Sequence, residues 1–286
     1  MKILVAIVHH WNPNGGGKHQ SLRPNPSPRT SAFQAQILSL LRLSKRQSYL
    51  HLLDRSVYPA NEELRHEIDI AVVTDGSNHI LNHLDSPFLS TFKHVETTPD
   101  SPLMLGFEVH HVLASYKDNA YDLYCYLEDD LVINDSFFFQ KVRWFTDTVG
   151  ESNLLLPQRY EVASSPSRVD KFYIDGPLSP GDLRVTNMTQ APLIMIDNLG
   201  CQIPFEVPKH PHSGCFFLSH TQLEEWIASP FWDDGDTSFI SPLESAASLG
   251  ISRQFTIYKP CLTHASWLDI QHYGNSFHTL IAEPIK

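Results

Sequence analysis

Three consecutive carboxylates, Glu128, Asp129 and Asp130, follow the apolar run from Tyr121 to Leu127. Such a run predicts a buried strand, and open α/β sheets bind ligands beyond the carboxyl ends of their strands. Adjacent carboxylates repel one another, so the cluster favours a cation, and its hard oxygen ligands suit Mg²⁺ or Mn²⁺. A metal here would bridge the protein to a substrate diphosphate and stabilise the charge that develops as the diphosphate leaves. The alternative is a solvated acidic turn that caps the following helix.

Other acidic side chains lie where strands and helices are expected to end. Asp75 ends a short apolar run and precedes Gly76, an arrangement that is often only a turn. Asp233, Asp234 and Asp236 crowd together in a loop, and Glu244 follows them in the next predicted helix. Each group could bind a ligand or simply be a solvated acidic surface.

The segment from His9 to Pro28 is a long loop rich in Gly and Pro that carries Lys18 and Arg23, with Arg29 directly after it. Loops of this length in a folded domain are often functional. Its Gly15-Gly16-Gly17-Lys18 lacks the spacing of a Walker A sequence. The loop could close over a donor with a basic side chain near its diphosphate, or it could be a mobile surface loop.

Strand-like and helix-like segments alternate along the chain, which predicts an α/β layered fold with a mostly parallel central sheet flanked by helices. Ser27 suits a helix N-cap and Pro28 the first helical position, so a helix is expected from there. The segment 164–211 is irregular and predicts a flap of strands and loops over one side of the sheet. The main predicted elements are strands at 2–8, 68–73, 121–127 and 254–258 and helices at 103–116, 137–145, 221–228 and 242–249.

Composition excludes several classes of protein. The 286 residues carry a formal net charge of −11, which argues against nucleic acid as a partner. We find no apolar run of the length that a membrane span needs and no signal-peptide pattern at the start. The four cysteines are widely spaced, without a Cys-x-x-Cys pair, as in a protein of a reducing compartment. We therefore expect a cytoplasmic protein that does not span a membrane.

The acidic triplet also supports a family resemblance. Leu127-Glu128-Asp129-Asp130-Leu131, followed by Asp135 and Phe137-Phe138-Phe139, resembles the metal-binding Asp-x-Asp element of GT-A glycosyltransferases. The segment is most similar to the version in the N-acetylglucosaminyltransferase I family, and more loosely to that in the N-acetylglucosaminyltransferase IV family. The resemblance implies that Asp130 binds the metal, that Asp129 faces the donor ribose and that Glu128 supports the site.

Three further matches follow in the family's order. Ile70 to Gly76 resembles the strand whose terminal aspartate, here Asp75, contacts the nucleoside. Ser213 to Leu218, followed by Phe231-Trp232-Asp233-Asp234, resembles the region that carries the catalytic base, which takes the proton of the attacking hydroxyl. This match favours Asp234 and then Asp233 as the base, with Asp236 and Glu244 as further candidates.

The fourth match is the ending Gln271-His272-Tyr273-Gly274-Asn275-Ser276, which is similar to the C-terminal element of the N-acetylglucosaminyltransferase IV family. In many GT-A enzymes a late histidine joins the metal or the diphosphate, and His272 or His264 could fill that place. The chain departs from the family in its basic loop, whose Arg29 we expect near the diphosphate. It also departs in lacking the membrane anchor of the family's Golgi members.

The sequence thus predicts one GT-A-like domain over residues 1–286, with a nucleotide-binding half (1–150) and an acceptor-binding half (151–286). The expected activity is metal-dependent transfer of a hexosyl or N-acetylhexosaminyl group, with Mn²⁺ or Mg²⁺. The donor would be a nucleotide sugar such as a UDP-sugar, and the acceptor a hydroxyl of a glycan or other molecule; the reaction would invert the anomeric centre. The alternatives are a nucleotidyltransferase of similar fold and a non-catalytic carbohydrate-binding relative.

Overall fold

The computed structural model describes residues 1–17, 20–163, 170–179 and 191–280. The described strands, in chain order, are β1 (Lys2–Val8), β2 (Ser48–His51), β3 (Ser56–Pro59), β4 (Glu67–Thr74), β5 (Lys93–Glu96), β6 (Leu123–Glu128), β7 (Leu131–Val132), β8 (Asn153–Leu155), β9 (Gln158–Val162), β10 (Lys171–Tyr173), β11 (Ile194–Asn198), β12 (Cys201–Glu206), β13 (Cys215–Leu218), β14 (Thr256–Pro260) and β15 (Asp269–His272). The described α-helices are α1 (Ser27–Leu43), α2 (Ser86–Leu89), α3 (Leu105–Ser115), α4 (Phe138–Val149), α5 (His220–Ile227) and α6 (Pro242–Gln254).

The central sheet has the strand order β13-β6-β1-β4-β5. Its strands are parallel except β13, which runs antiparallel to β6. The predicted α/β fold with a mostly parallel sheet is therefore confirmed. Because β13 comes from the predicted acceptor-binding half, both halves of the chain contribute to this one sheet.

Helices cover both faces of the central sheet. The side chains of Ile3, Val5 and Ile7 on β1 pack in a core with α1 and α4, whereas those of Leu4 and Ala6 pack with α3, α5 and α6. A strand buried on both faces is apolar at every position, which is why β1 reads as a continuous hydrophobic run. The helices therefore fix the sheet from both sides and leave its strand ends to the loops.

Helix α1 begins as the proline pattern predicts, with a difference of one residue at its cap. Its N-cap is Pro26 rather than Ser27, and Ser27 is the first helical residue. Pro28 lies in the first turn, where its missing N–H costs no intrahelical hydrogen bond. This start places Arg29 in the first turn of the helix.

Two smaller sheets, β10-β9-β15-β7 and β11-β12-β14-β8, complete the acceptor-side half. Residues 164–169 and 180–190 of the expected flap lie outside the described residues, and the remainder of the flap contributes β10, β11 and β12. The sequence pattern does not indicate β9 or β15. Among the described helices, none is long and apolar enough to cross a membrane.

Candidate functional site

Three loops leave the central sheet at the same edge. Val8, at the end of β1, is paired with Val73 on β4 and with Glu128 on β6. Since all three strands are parallel, the loops that follow them start side by side. The edge therefore brings together His9, Asp75 and the acidic triplet, and it is the candidate ligand site.

Asp129 is the most buried member of the triplet, with its side chain 1% exposed. Its carboxylate accepts hydrogen bonds from Nδ1 of His9 and from the guanidinium of Arg29. The other ring nitrogen of His9 accepts the Ile80 N–H over 3.0 Å, so Nδ1 carries the proton. Burial opposes the charge on Asp129, but Arg29 and His9 outweigh it and lower the pKa of Asp129. Asp129 is thus fixed and ionised by protein groups.

Arg29 bridges the triplet. Besides Asp129, its guanidinium donates to Oδ2 of Asp130 over 3.0 Å, and its side chain is 13% exposed. Burial lowers the pKa of Arg29, yet the two carboxylates raise it above its ordinary value. Arg29 thus supplies part of the positive charge that balances the three carboxylates. Lys18 of the same basic loop lies outside the described residues.

Glu128 is the member whose charge is least favoured. Burial, and then repulsion from Asp130, raise the pKa of Glu128 to about 8. Its Oε1 has no hydrogen-bond partner among the described residues, and Nε2 of His212 lies 3.7 Å away. A Cβ on Gly214 would stand 2.8 Å from Oε2 of Glu128, and Gly214 has φ +64°. Glycine at 214 therefore leaves the room that this carboxyl group occupies.

His272 reaches the triplet from the far end of the chain, because β15 pairs with β7 directly after the triplet. Nδ1 of His272 lies 3.0 Å from Oε1 of the buried Glu161, and Nε2 lies 3.7 Å from Oδ2 of Asp130. Burial lowers the pKa of His272, but Asp130 and Glu161 outweigh that effect and raise it. Glu161 accepts the Nδ1 proton and directs Nε2 at Asp130, the orientation that metal-binding histidines commonly have.

A divalent cation fits this arrangement in part. Oδ1 of Asp130 is buried without a hydrogen-bond partner among the described residues, and Nε2 of His272 faces the same carboxylate. A carboxylate oxygen and an imidazole nitrogen are acceptable ligands for Mn²⁺. The described residues contain no group of three His, Cys, Asp or Glu side chains arranged to hold a metal ion. The protein would therefore supply two ligands, and a substrate diphosphate the others.

Asp75 lies at the same edge but is engaged in its own turn. Its Oδ1 accepts the N–H groups of Ser77 and Asn78, at 3.0 and 2.7 Å, and Oδ2 accepts the Asn78 amide at 2.8 Å. Nδ1 of His10 lies 3.7 Å from Oδ2. Although burial opposes its charge, these hydrogen bonds lower the pKa of Asp75. Asp75 is ionised beside the edge, and its role in donor binding stays a prediction.

The acidic loop between α5 and α6 is bound mainly to Arg253. The guanidinium of Arg253 contacts Asp234 at 3.2 Å and Asp236 at 2.8 Å. Asp233 has φ 52°, is 56% exposed and lies 3.2 Å from Nε2 of His111. Glu244, in the first turn of α6, accepts from Ser241, and its charge contributes to the raised pKa of Glu128. Glu244 therefore lies within electrostatic range of the triplet.

His264, the other predicted metal ligand, lies in a short 3₁₀ segment at Leu262–Trp267. Its Nδ1 is 3.0 Å from the hydroxyl of Thr263. Among the described residues, His264 makes no hydrogen bond or ion pair with the triplet. Of the two candidates, His272 is the one that the fold brings to Asp130.

Two residues of the site were missed in the sequence. His9 immediately follows β1, and its position after a buried strand was the signal that could have revealed it. Glu161 is a charged residue on a short strand, 111 positions from its partner His272. Nothing in the sequence relates those two positions, so only the fold shows the pair.

Comparisons with known proteins give weak likenesses. No family model matches the chain, and neither does any curated protein. The solved structure of GalNAc-T7 with UDP, GalNAc and Mn²⁺ superposes with a TM-score of 0.46 and 11% identity, over 95% of this chain and 43% of that one. S. aureus TarS gives 0.46 and 9%, over 100% and 41%. TarS 1-349 in complex with UDP-GlcNAc gives 0.43 and 11%, over 100% and 62%. The chain thus spans less than half the length of the first two, and at these scores the likenesses assign it to no family.

Proposed function

We propose that this chain is a glycosyltransferase of the GT-A type, which transfers a sugar from a nucleoside diphosphate sugar to an acceptor hydroxyl. The observation that carries the proposal is the meeting of Arg29, Asp130 and His272 at the carboxyl edge of the parallel sheet. This edge is where α/β folds bind nucleotides. A guanidinium beside two carboxylates and an imidazole suits a diphosphate that arrives with a divalent cation.

The donor, which we expect to be a UDP-sugar, would lie across the three loop starts. Asp75 would contact the nucleoside and Asp129 the ribose. Arg29 would donate to the diphosphate, because its guanidinium stands at the triplet and its side chain is 13% exposed. Glu128 would support the site as a buried carboxyl group. Because its pKa is raised to about 8, it would not add a full negative charge near neutral pH.

Mn²⁺ or Mg²⁺ would be held by Asp130 and His272. When bound, the cation would supply positive charge to the leaving diphosphate. Glu161 would hold the Nδ1 proton of His272, so that Nε2, once it has released its own proton, would bind the cation. His264 remains a second candidate that would need a rearrangement of its 3₁₀ segment.

The acceptor hydroxyl would attack the anomeric carbon directly and invert it. As the new oxygen–carbon bond forms, the bond from that carbon to the diphosphate oxygen breaks, and a carboxylate takes the hydroxyl proton. Asp234, then Asp233, is the base that the family resemblance favours, and Asp234 is ion-paired with Arg253. Glu244 is the rival, supported by its electrostatic effect on Glu128.

A nucleotidyltransferase and a non-catalytic relative remain the alternatives. The test is a panel of nucleotide sugars incubated with the full chain and Mn²⁺, with release of free nucleoside diphosphate as the readout. Glycosyltransfer or slow hydrolysis releases the diphosphate from one donor of the panel. Release of pyrophosphate from a nucleoside triphosphate and a sugar phosphate would instead identify a nucleotidyltransferase, and donor binding without release would identify a non-catalytic protein.

We also propose a cytoplasmic location, since all four cysteines are free in a chain that has no Cys-x-x-Cys pair.

A further inference from the structure

The hairpin of β2 and β3 is an apolar ribbon outside the core. It forms a two-stranded sheet of its own between the end of α1 and the start of β4. A ribbon of two strands is marginally stable alone in water, and a contiguous exposed apolar patch marks an interaction surface. Its large apolar side chains are all exposed, namely Tyr49, Leu50, Leu52, Leu53, Val57 and Tyr58.

Both faces of the ribbon are apolar. Tyr49 pairs with Tyr58, and their rings stack at 5.7 Å, while Leu50 pairs with Val57. Neighbouring residues on a strand point to opposite faces, so the tyrosine pair and the aliphatic pair lie on different sides. An ordinary protein partner would cover one face only. Lipids around an inserted ribbon contact both of its faces and so cover its whole apolar surface.

The ribbon ends in two leucines at its tip. Leu52 is 78% exposed and Leu53 is 93% exposed, in the turn that joins the strands. Asp54 and Arg55 follow in the same turn and carry opposite charges. The Asp54 carboxylate points back into the ribbon, where it accepts the Ser56 N–H and the Tyr58 hydroxyl at 2.9 Å each. Leu52, Leu53 and Arg55 therefore form the exposed tip of the ribbon.

The base of the ribbon is basic in an acidic protein. Residues 42–65 contain five Lys or Arg and three Asp or Glu, a net charge of +2, whereas the whole chain carries −11. Lys45 and Arg46 lie before β2, separated from it by Gln47, and are exposed. Lys45 is paired with Glu67 at 3.2 Å and Arg65 with Glu62 at 3.3 Å, whereas within the described part of the chain Arg46, at the base, and Arg55, in the tip turn, take part in no ion pair. Positive charge thus stands behind the apolar tip.

We propose that the β2–β3 ribbon docks this protein on an anionic lipid bilayer, with Leu52 and Leu53 inserted among the lipids. The order along the ribbon, from leucines through tyrosines to Lys and Arg, is the depth order of residues at a membrane surface. Apolar chains enter the acyl region, tyrosines lie at the headgroups, and basic side chains meet the lipid phosphates. The attraction is local, because the rest of the chain is acidic.

The ribbon lies at the edge of the central sheet opposite the candidate site. It immediately precedes β4, whose first residue, Glu67, pairs with Lys2 at the start of β1, whereas Asp75 and Glu128 mark the other end. Docking would therefore hold the protein at the bilayer and leave the donor site open. The proposal is independent of the sugar chemistry, and its test uses neither donor nor acceptor.

The test is flotation of the full chain with vesicles of phosphatidylcholine, alone or mixed with phosphatidylglycerol. We expect binding to the mixed vesicles that weakens as salt rises. Leu52→Ser/Leu53→Ser should lower the partition constant at least about tenfold, since the burial of one leucine alone is worth that much. Arg46→Gln should lower it about fivefold on the mixed vesicles and leave the weaker binding to phosphatidylcholine unchanged.

The matched control is Leu199→Ser, which changes a leucine of the β11–β12 turn that is 91% exposed and lies outside the basic region. This variant should float like the unchanged chain. Absence of flotation, equal flotation with both lipids, or full flotation of the double leucine variant would overturn the proposal. So would sedimentation showing a dimer that the double leucine variant abolishes, since a second copy of the chain would then cover the ribbon.

Discussion

His272 and Glu161 form a hydrogen-bonded pair, 3.0 Å from Nδ1 to Oε1, that turns Nε2 of His272 toward Asp130. Glu161 is buried and also accepts the N–H groups of Phe277 and His278, at 3.2 and 2.9 Å. The C-terminal segment is thereby fixed to β9. The pair links the end of the chain to the acidic strand end, and it makes the proposed metal site dependent on a residue that touches no ligand.

Glu161→Gln should weaken Mn²⁺ binding about 10- to 100-fold, the usual effect of losing the carboxylate behind a metal-binding histidine. The substitution keeps the shape and an acceptor oxygen but removes the charge. Mn²⁺ affinity in the presence of UDP, measured by titration of the paramagnetic signal, is the readout. Glu67→Gln, at an exposed ion pair with Lys45, is the control and should have no effect. Equal Mn²⁺ affinity in both variants would contradict the proposal that His272, held by Glu161, binds the metal.

Arg29→Lys and Arg29→Met should weaken UDP binding but leave uridine binding unchanged, because only the diphosphate would meet the guanidinium. Loss of a charge-assisted hydrogen bond is worth about 1.5–3 kcal/mol, so UDP affinity should fall at least about tenfold in the methionine variant. Isothermal titration with both ligands measures the difference. The lysine variant keeps the positive charge beside the buried Asp129 and should remain folded. An equal loss for uridine and UDP would mean that Arg29 only holds the triplet together.

Asp75→Ala should raise the donor KM several-fold while kcat is retained, since the nucleoside lies away from the anomeric carbon. Asp75 also holds its own turn through Ser77 and Asn78, so the alanine variant alone does not separate the two roles. Asp75→Asn retains an acceptor for those N–H groups and should show the donor effect with an intact turn. A collapse of kcat at saturating donor in a folded Asp75→Asn variant would contradict a nucleoside role.

Asp234→Asn should slow transfer about 10²- to 10⁴-fold and leave UDP affinity unchanged, if Asp234 takes the acceptor proton. Asp233→Asn should have a smaller effect, and Asp236→Asn a smaller one still. Glu244→Gln is the decisive comparison, because Glu244 influences the pKa of Glu128 whereas Asp234 is paired with Arg253. An inactive Glu244→Gln variant together with an active Asp234→Asn variant would identify Glu244, not Asp234, as the base.

Acid should destabilise the protein through His110, which is buried and donates to the Ala246 carbonyl over 2.8 Å. Burial lowers the pKa of His110 from 6.5 to about 4. As the pH falls through this window, the unfolded chain takes up the proton before the native state does, so stability falls with pH. His110→Gln should remove up to about 3 kcal/mol of the loss between pH 6.5 and 4. Urea unfolding of both proteins across that range gives the difference, and identical pH slopes would contradict it.

The elements that could be predicted are those whose local pattern agrees with their tertiary surroundings. β1, β6 and the part of β4 from Ile70 onward are buried and read as apolar runs, and Pro28 marks the start of α1. The acidic triplet was evident because it follows such a strand. The β2–β3 ribbon was not evident, since its apolar residues face both sides and show no alternation of buried and exposed positions.

The contacts that complete the site depend on pairing between distant segments. His272 reaches Asp130 only because β15 pairs with β7 and β9, and those strands are too short to carry a clear pattern. Arg29 reaches the triplet 101 positions away through the packing of α1 on the sheet. Sequence spacing contains no information on such contacts, although the residue types involved were already indicated.

We infer that Asp130 and a divalent cation together hold the diphosphate of a nucleotide sugar. Isothermal titration of the full chain with UDP, in Mn²⁺ and in EDTA, tests it most directly when Asp130→Asn is measured beside the unchanged protein. We expect UDP binding that requires Mn²⁺ and that is lost in Asp130→Asn. The unfolding midpoint of this variant should no longer rise with Mn²⁺ and UDP. UDP affinity that is the same in EDTA, or the same in Asp130→Asn, would contradict it.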